Sequence, residues 1–505
     1  MAQQLQNITI AAPGFAGLNT QDSPIDLPPV FASVADNCII DQYGRIGARK
    51  GFDVKTTDAT PLGSSVGIEA IGQYVTDAGA ATIFSAGNNK IFTGTTTLTD
   101  VTPGSYTITT NNWKIKNFND KLYLFQRGYE PLVYNGTTLV KMSSASGAAG
   151  TPPQANEVLA AFGRLFVADF SADKSTVYWS DLLNGVVWSG GSSGSIDVTT
   201  VWPNGYDEII ALAAHNGFLI IFGKRSILIY SGADDPSTMV LHDTVNGIGC
   251  ISRDSVVYTG SDIFFLDYTG VRSLGRTVQE KSAPIGDLSK NVRDDFTFAV
   301  SIETTPIKCH YSPEDAFYLV NLADSGVIYC FDTRRPLEDG SLRTTLWRGS
   351  VQSFARAVDG TFYIGLDTGI AEYTGYTDDG ASYSLKYFSH PLTFGASSSL
   401  KFLKKVNLTI IGAASSTGVL NWGYDFTGAY TKQNFQLTGT TSFAEYGISE
   451  YNTTAEYSVS VSISKPRINA SGSGSAVTIG VEVPINGSSF SLQELNIHAL
   501  LGRIV

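Results

Sequence analysis

The chain is poor in charge and poorer still in positive charge. Charged residues make up 16% of the 505 positions, and 46 acidic residues face 34 basic ones, for a net charge of −12. No basic tract stands out, which argues against electrostatic capture of nucleic acid. The first basic residue is Arg45. The opening therefore lacks the positive n-region of a secretion signal, and the protein is expected to be made in a cytoplasm. No hydrophobic run approaches the roughly 18 residues of a membrane helix, so no membrane span is expected. The four cysteines, Cys38, Cys250, Cys309 and Cys330, form no CxxC pair. They read as buried free thiols of a reducing compartment, with Cys309 and Cys330 placed on neighbouring strands of one unit.

Catalytic signatures are missing as well. There is no P-loop and no GxSxG elbow, and the five histidines, His215, His242, His310, His390 and His498, show no metal-ligand spacing. Gly-rich pieces such as Ser471-Gly472-Ser473-Gly474 read as turns. A calcium loop with three Asp and a Gly is absent. Three acidic pairs, Asp234-Asp235, Asp294-Asp295 and Asp378-Asp379, are the candidates for two-carboxylate glycan chemistry. Adjacent Asp residues in polar loops usually point apart into water, and no acidic position repeats along the chain. Ser180–Trp188, SDLLNGVVW, only loosely echoes a sialidase loop. Trp179, Trp188 and Trp202 could stack on sugars, but packing is the simpler use of them. No catalytic, cofactor-binding or metal-binding residue is assigned, and the protein is read as not an enzyme.

What is present is a repeat. Asp207–Gly232, DEIIALAAHNGFLIIFGKRSILIYSG, reads as three strands broken by an Asn-Gly turn and a Gly-led turn. A meander this apolar on both faces must stack against similar units. Those units are Asn112–Gly136, Glu157–Ser180, Ser252–Gly275 and Val351–Gly375, with weaker copies at Ile68–Gly94 and Lys308–Asp332. Their middle strands start at Thr82, Leu122, Leu165, Phe218, Ile263, Phe317 and Phe362, giving steps of 40, 43, 53, 45, 54 and 45 residues. That is the period of a four-stranded propeller blade, with fourth strands at stretches such as Met239–Val245 and Thr344–Arg348. The two weak copies leave six or seven blades.

Residues 1–36 are Pro- and Gly-rich and read as an extended arm, suited to lying on a neighbouring subunit. Asn37–Phe52 reads as a hairpin around Asp41-Gln42-Tyr43-Gly44 that donates a closing strand to the last blade. Ser143–Asn156 and Ser189–Ser195 are loops by composition. Beyond Thr377-Asp378-Asp379-Gly380 the pattern alternates more cleanly, at Val406–Ile411, Tyr457–Ser464, Val477–Ile485 and Leu492–Ile497, as in an antiparallel sandwich. The predicted fold class is thus all-β: an arm and closing hairpin over 1–54, a β-propeller over 55–380 and a β-sandwich over 383–505.

The ends of the chain carry a resemblance. Gly17-Leu18-Asn19, Asp26-Leu27-Pro28-Pro29, Ala35-Asp36-Asn37, Tyr43-Gly44-Arg45 and Arg49-Lys50-Gly51-Phe52 resemble the start of the tail nozzle proteins (tail tubular B, or packaged-DNA-stabilising hub) of short-tailed bacteriophages. Arg164–Ala168, Tyr178-Trp179-Ser180 and Asn246–Ser252 resemble their middle, and Phe490–Leu495 with Leu501-Gly502-Arg503-Ile504 resembles the ends of phage structural chains. The resemblance implies a virion protein of the tail with a propeller core and no catalytic residue to carry over. It implies a six-fold ring of identical subunits below the connector that continues the DNA channel, next to tail adaptor proteins and tail fibres or spikes. Genomic DNA would pass that ring without tight binding, so acidic residues are expected to outnumber basic ones along its lining. The alternatives are a phage-borne propeller glycan hydrolase and a glycan-binding receptor module without catalysis.

Overall fold

A computed structural model describes residues 5–63, 67–280, 287–413, 416–437, 441–443 and 461–504. The stretch Asp207–Gly232 forms three antiparallel strands, Ile209–His215, Phe218–Gly223 and Ser226–Ser231, and Val240–Asn246 adds the fourth. Asn216 and Gly217 both take positive φ, 49° and 81°, the geometry of the tight two-residue turn that closes His215 onto Phe218. The missing polar face has a simple cause. Leu219, Ile221, Leu228 and Tyr230 pack with Phe166, Trp179 and Trp202 on one side. Ile220, Ile227 and Ile229 pack with Cys250, Ile263 and Phe265 on the other. A sheet buried on both faces needs no alternation. Phe218, expected with the buried set, is only partly buried and lies against His242, its ring centroid 4.7 Å away.

Five separate four-stranded sheets and the four strands heading a ten-stranded sheet make six four-stranded blades. First strands of successive units touch around a common axis. Ile68–Val75 meets Lys114–Phe118, then Glu157–Ala161, then Ile209–His215. From the far side Lys308–Ser312 meets Ser353–Arg356, which returns to Ile68–Val75. The fold is a β-propeller. Between the fourth and fifth four-stranded blades stands a three-stranded sheet, Val257–Tyr258, Ile263–Asp267 and Gly270–Ser273. The weak copies at Ile68–Gly94 and Lys308–Asp332 are therefore full blades, and the shortened unit is Ser252–Gly275. Its chain leaves the last strand as a helix, Leu274–Glu280, where a fourth strand would begin. That helix and Arg293–Ile302 are the α-helices among the described residues, and neither is long and apolar enough to cross a membrane.

The last blade is closed as expected by a strand from the N-terminal segment, which begins at Phe52, the last residue of the expected hairpin. Phe52–Val54 pairs with Gly369–Tyr373 as the outer strand of the last blade. The hairpin itself, Cys38–Ile40 with Ile46–Ala48, pairs instead with the C-terminal strand Phe490–Ile504. The arm is not free to lie on a neighbour. Leu5–Ala11 pairs antiparallel with the same C-terminal strand, from Leu5 opposite Leu500 to Ala11 opposite Glu494. Gly17–Leu18 inserts between Arg343–Arg348 and Phe31–Asp36, and Ile10, Phe15 and Leu18 are buried. Gly17 sits at φ 79°, and a Cβ there would lie 2.5 Å from the Thr344 carbonyl oxygen, so only glycine allows this approach.

The ten-stranded sheet runs without a break from the fifth four-stranded blade, through the arm, to Tyr383–Ser389, Val477–Ile485, Thr417–Tyr424 and Tyr430–Gln436. A nine-stranded sheet built on Ser399–Gly412 and Phe490–Ile504 shares one hydrophobic core with it, through residues such as Val406, Leu495, Tyr387 and Val481. Of Tyr457–Ser464, residues 457–460 lie outside the described residues, and Val461–Ser464 is a strand of the nine-stranded sheet. All four cysteines are free. Cys309 and Cys330 are not on neighbouring strands: Phe317–Leu322 runs between them. Gly194 and Ser195, read as loop, open the fourth strand of the third blade.

Truncating Ile220 to Ala should destabilise the protein by about 2–5 kcal/mol, the cost of an aliphatic cavity between two packed sheets. A lower urea midpoint at unchanged slope checks this, and coincident curves would show the interface to be absent.

Candidate functional site

The innermost strands carry charge at their first positions, where the apolar runs begin. Lys114 and Lys116 open the second blade, Glu157 the third and Lys308 the fifth, while Arg253 and Asp254 precede the three-stranded sheet. The ring brings these residues together at the axis. Asp254 is the hub. Its carboxylate receives Lys308 Nζ at 2.7 Å, Lys114 Nζ at 3.2 Å and Arg253 Nη2 at 2.8 Å. Lys114 Nζ also stands 3.3 Å from Glu157 Oε2, a charge contact outside hydrogen-bond geometry.

Arg253 ties three units together. Its Nη1 donates to the Asn156 carbonyl at 2.8 Å and to Asn156 Oδ1 at 3.0 Å. Its Nη2 donates to Asn112 Oδ1 at 2.7 Å, and Lys308 Nζ donates to that same oxygen. A planar, permanently charged fork suits such a multi-partner role better than an ammonium.

The two buried carboxylates are pushed in opposite directions. Burial acts against the charge of Asp254, but Arg253, Lys308 and Lys114 outweigh it and hold the carboxyl well below its usual range. For Glu157 burial wins and the carboxyl is raised, although Lys114 and Arg253 oppose this. Opposed shifts are what acid–base catalysis uses. Here, however, Glu157 is 2% exposed and does not line the axial cavity. That cavity, about 200 Å³, is lined by Glu69, Lys114, Lys116, Asp254 and Lys308 among others. A sugar held in it would meet Asp254 and Glu69 but not Glu157, whose raised carboxyl is the one suited to a general acid.

The acidic pairs singled out in the sequence lie on separate elements. Asp235 serves a local turn, in which its carboxylate accepts from Ser237 and its carbonyl from Thr238. Asp294 opens the helix Arg293–Ile302 and receives Gln21 Nε2 at 3.1 Å. Asp378 takes both terminal nitrogens of Arg49, at 2.8 and 2.6 Å. Trp179 and Trp202 are buried in the core between the third and fourth blades. Trp188, partly buried, donates to the Gly185 carbonyl at 3.1 Å. No acidic position repeats along the chain, yet closure of the ring brings Glu69, Glu157 and Asp254 to the axis from three different units. The signal in the sequence is a charged residue at or near the start of several units.

No protein-family model matches the chain, and no curated protein matches it. Among solved structures it is similar to a protein from Lactobacillus plantarum, at 14% identity over 64% of this chain and 91% of that one, with a TM-score of 0.37. It is similar to YCF48 bound to a D1 peptide, at 10% identity over 62% and 93%, TM-score 0.35. It is also similar to the WD40 domain of Toxoplasma gondii coronin, at 11% identity over 74% and 86%, TM-score 0.34. Likeness at this level carries nothing about partners or activity.

Replacing Asp254 with Asn should cost about 3 kcal/mol or more, because three cations lose their shared counter-charge in a partly dry site. Its folded pKa is depressed, so its contribution is present above the ordinary carboxylate value near 4 and lost as pH falls through the lower folded value. Denaturant midpoints of Asp254→Asn against wild type at neutral pH test this. A second pH effect has the same direction at higher pH. His310 stacks on Phe362 at 4.4 Å, and burial, then Arg356, lowers its pKa to about 4. The unfolded chain takes up that proton from about pH 6.5, so stability should fall by up to about 3 kcal/mol between there and pH 4. His310→Gln should flatten this part of the stability–pH curve.

Proposed function

We propose that the protein is a structural tail component of a short-tailed phage: a nozzle ring of identical subunits that continues the DNA channel and helps retain and then release the genome. The observation that supports this best is where the family-like residues lie. Gly17 is pressed against Thr344. Asn37 bonds a propeller strand to Tyr383–Ser389, Arg49 clamps Asp378, and Gly51 lies where a Cβ would stand 1.9 Å from the Thr377 carbonyl oxygen. Four residues of the N-terminal motifs are thus committed to joining the propeller to the rest of the chain, as suits a rigid scaffold.

On this reading the two sheets built around residues 383–504 form a β-sandwich that serves as a second body beside the propeller. Assembly uses surfaces that the arm leaves open. Among the described residues Tyr430–Gln436 is the last strand of the ten-stranded sheet and pairs on one side only, and Phe426 and Tyr430 are exposed beside it. Phe298 and Ile302 are exposed on the helix Arg293–Ile302. Exposed apolar side chains next to an unpaired edge favour contact with another chain.

Native mass spectrometry of the purified protein, with electron microscopy of intact tails, tests the reading. A closed six-fold ring at the tail is expected, with its wall richer in Asp and Glu than in Lys and Arg. Duplex DNA should bind the isolated protein more weakly than micromolar at physiological salt, because each phosphate contact made by a cation would brake a passing genome. A chain that stays monomeric and is absent from tails overturns the proposal. Release of reducing ends from host polysaccharide would favour the hydrolase instead.

A further inference from the structure

The axial cluster is not balanced. Lys114, Lys116, Arg253 and Lys308 supply four cations, against the carboxylates of Glu69, Glu157 and Asp254. Three of the four cations are matched by the contacts described above. Lys116 is not: among the described residues it has no hydrogen-bond or ion-pair partner, although it lines the cavity. It lies two residues beyond Lys114 on the strand Lys114–Phe118, and side chains two apart share a face. The residue between them, Ile115, faces the other way and packs over Gly72 of the first blade. Glu69 lines the same cavity, but its Oε1 accepts Asn111 Nδ2 at 3.0 Å and, among the described residues, no ion pair joins it to Lys116. Half-buried and beside a second ammonium, Lys116 costs stability unless a counter-charge is present.

We propose that the axial cavity is a binding site for a small inorganic oxyanion of the phosphate class, held by Lys116 with Lys114 beside it. The chemistry of the lining selects for this. An ammonium offers three donors and no acceptor, so it suits a compact anion with several oxygens. A neutral sugar would leave the charge uncompensated. A metal cation would be repelled by the excess of lysines, and a nucleic-acid duplex does not fit a cavity of about 200 Å³. The inference is independent of the nozzle reading, since it concerns the axis of one subunit and not the bore of a ring.

Inorganic phosphate is the probe. Calorimetric titration of the full-length protein should show one saturable site per chain. The melting temperature should rise with phosphate relative to chloride at matched ionic strength and pH, as a ligand bound to the folded state requires. Lys116→Met should weaken the site at least tenfold, yet melt no lower than wild type in chloride, because it removes an unpaired buried charge. Lys116→Arg should keep the site. In the wild-type protein, phosphate should also protect Lys116 from acetylation, read residue by residue by mass spectrometry, which makes the test independent of whether a variant folds. The proposal is overturned by an absence of saturable binding at millimolar phosphate. Stabilisation of equal size in Lys116→Met, the mark of a general salt effect, overturns it as well, and so does Lys116 acetylation that phosphate leaves unchanged.

Discussion

A ring of sheets has one unavoidable problem, the outer edge of its last member, and the architecture of this chain follows from how that edge is covered. Unpaired backbone groups at an edge invite pairing with another chain. Here Phe52–Val54 covers the edge of Gly369–Tyr373. The chain must therefore pass beside its last blade before it enters its first. The fifty residues before the closing strand are consequently drawn across the molecule, and each segment finds a strand to pair with on the way: Leu5–Ala11 on the C-terminal strand, Gly17–Leu18 on the fifth four-stranded blade, Phe31–Asp36 on Tyr383–Ser389. Pro- and Gly-rich composition, which reads as an extended arm suited to a neighbouring subunit, here lets the segment turn sharply between successive pairings within its own chain.

Asn37 shows how tightly this crossing is held. It sits at φ 55°, a conformation Asn tolerates better than most side chains. From there its Nδ2 donates to the Ser384 carbonyl at 2.9 Å, while its Oδ1 accepts from the Arg348 amide at 2.9 Å and from Arg49 Nε at 3.1 Å. One side chain thus bonds a propeller strand, a strand of the C-terminal region and the guanidinium that clamps Asp378. The Arg49 cation also lies 4.2 Å over the Tyr383 ring, and the Tyr383 hydroxyl donates to the Arg49 carbonyl. A joint with this many satisfied, buried polar groups resists hinge motion, because any rotation leaves several of them unpaired at once.

What could be read from the sequence was what is local. All seven middle strands begin within one residue of the expected positions, because each is an apolar run bounded by a Gly or Asn turn and needs no distant partner to be recognised. Fourth strands at Val240–Asn246 and Arg343–Arg348 were legible for the same reason. The errors lie where pairing is remote. The sequence points to the end of the hairpin for the closing strand, but only its last residue, Phe52, pairs with the last blade, since nothing near Phe52 reveals a partner at Tyr373. The axial site was missed because its members are spread along the chain: Lys114 and Asp254 are 140 residues apart, Lys308 and Asn112 196. A charged residue at the head of an apolar run looks like the end of a strand until the ring is closed and five such ends face one another.

The same closure explains why the charge can be buried at all. Away from the axis the blades meet mainly through hydrophobic faces, and a lone lysine between them would be expelled or neutralised. At the axis the first strands converge, so a cation from one unit always has residues of several other units within reach. Lys114 then pairs across units with Glu157 and Asp254, and its burial is offset by two carboxylates. Such pairs add little net stability compared with apolar packing, but losing one partner is costly. The cluster therefore acts as a check on assembly: a ring with a unit out of register would strand Arg253 or Asp254 without its partners. It also leaves an open volume lined by fixed charge at the axis, where a small ligand can be accommodated without disturbing the hydrophobic packing that holds the ring.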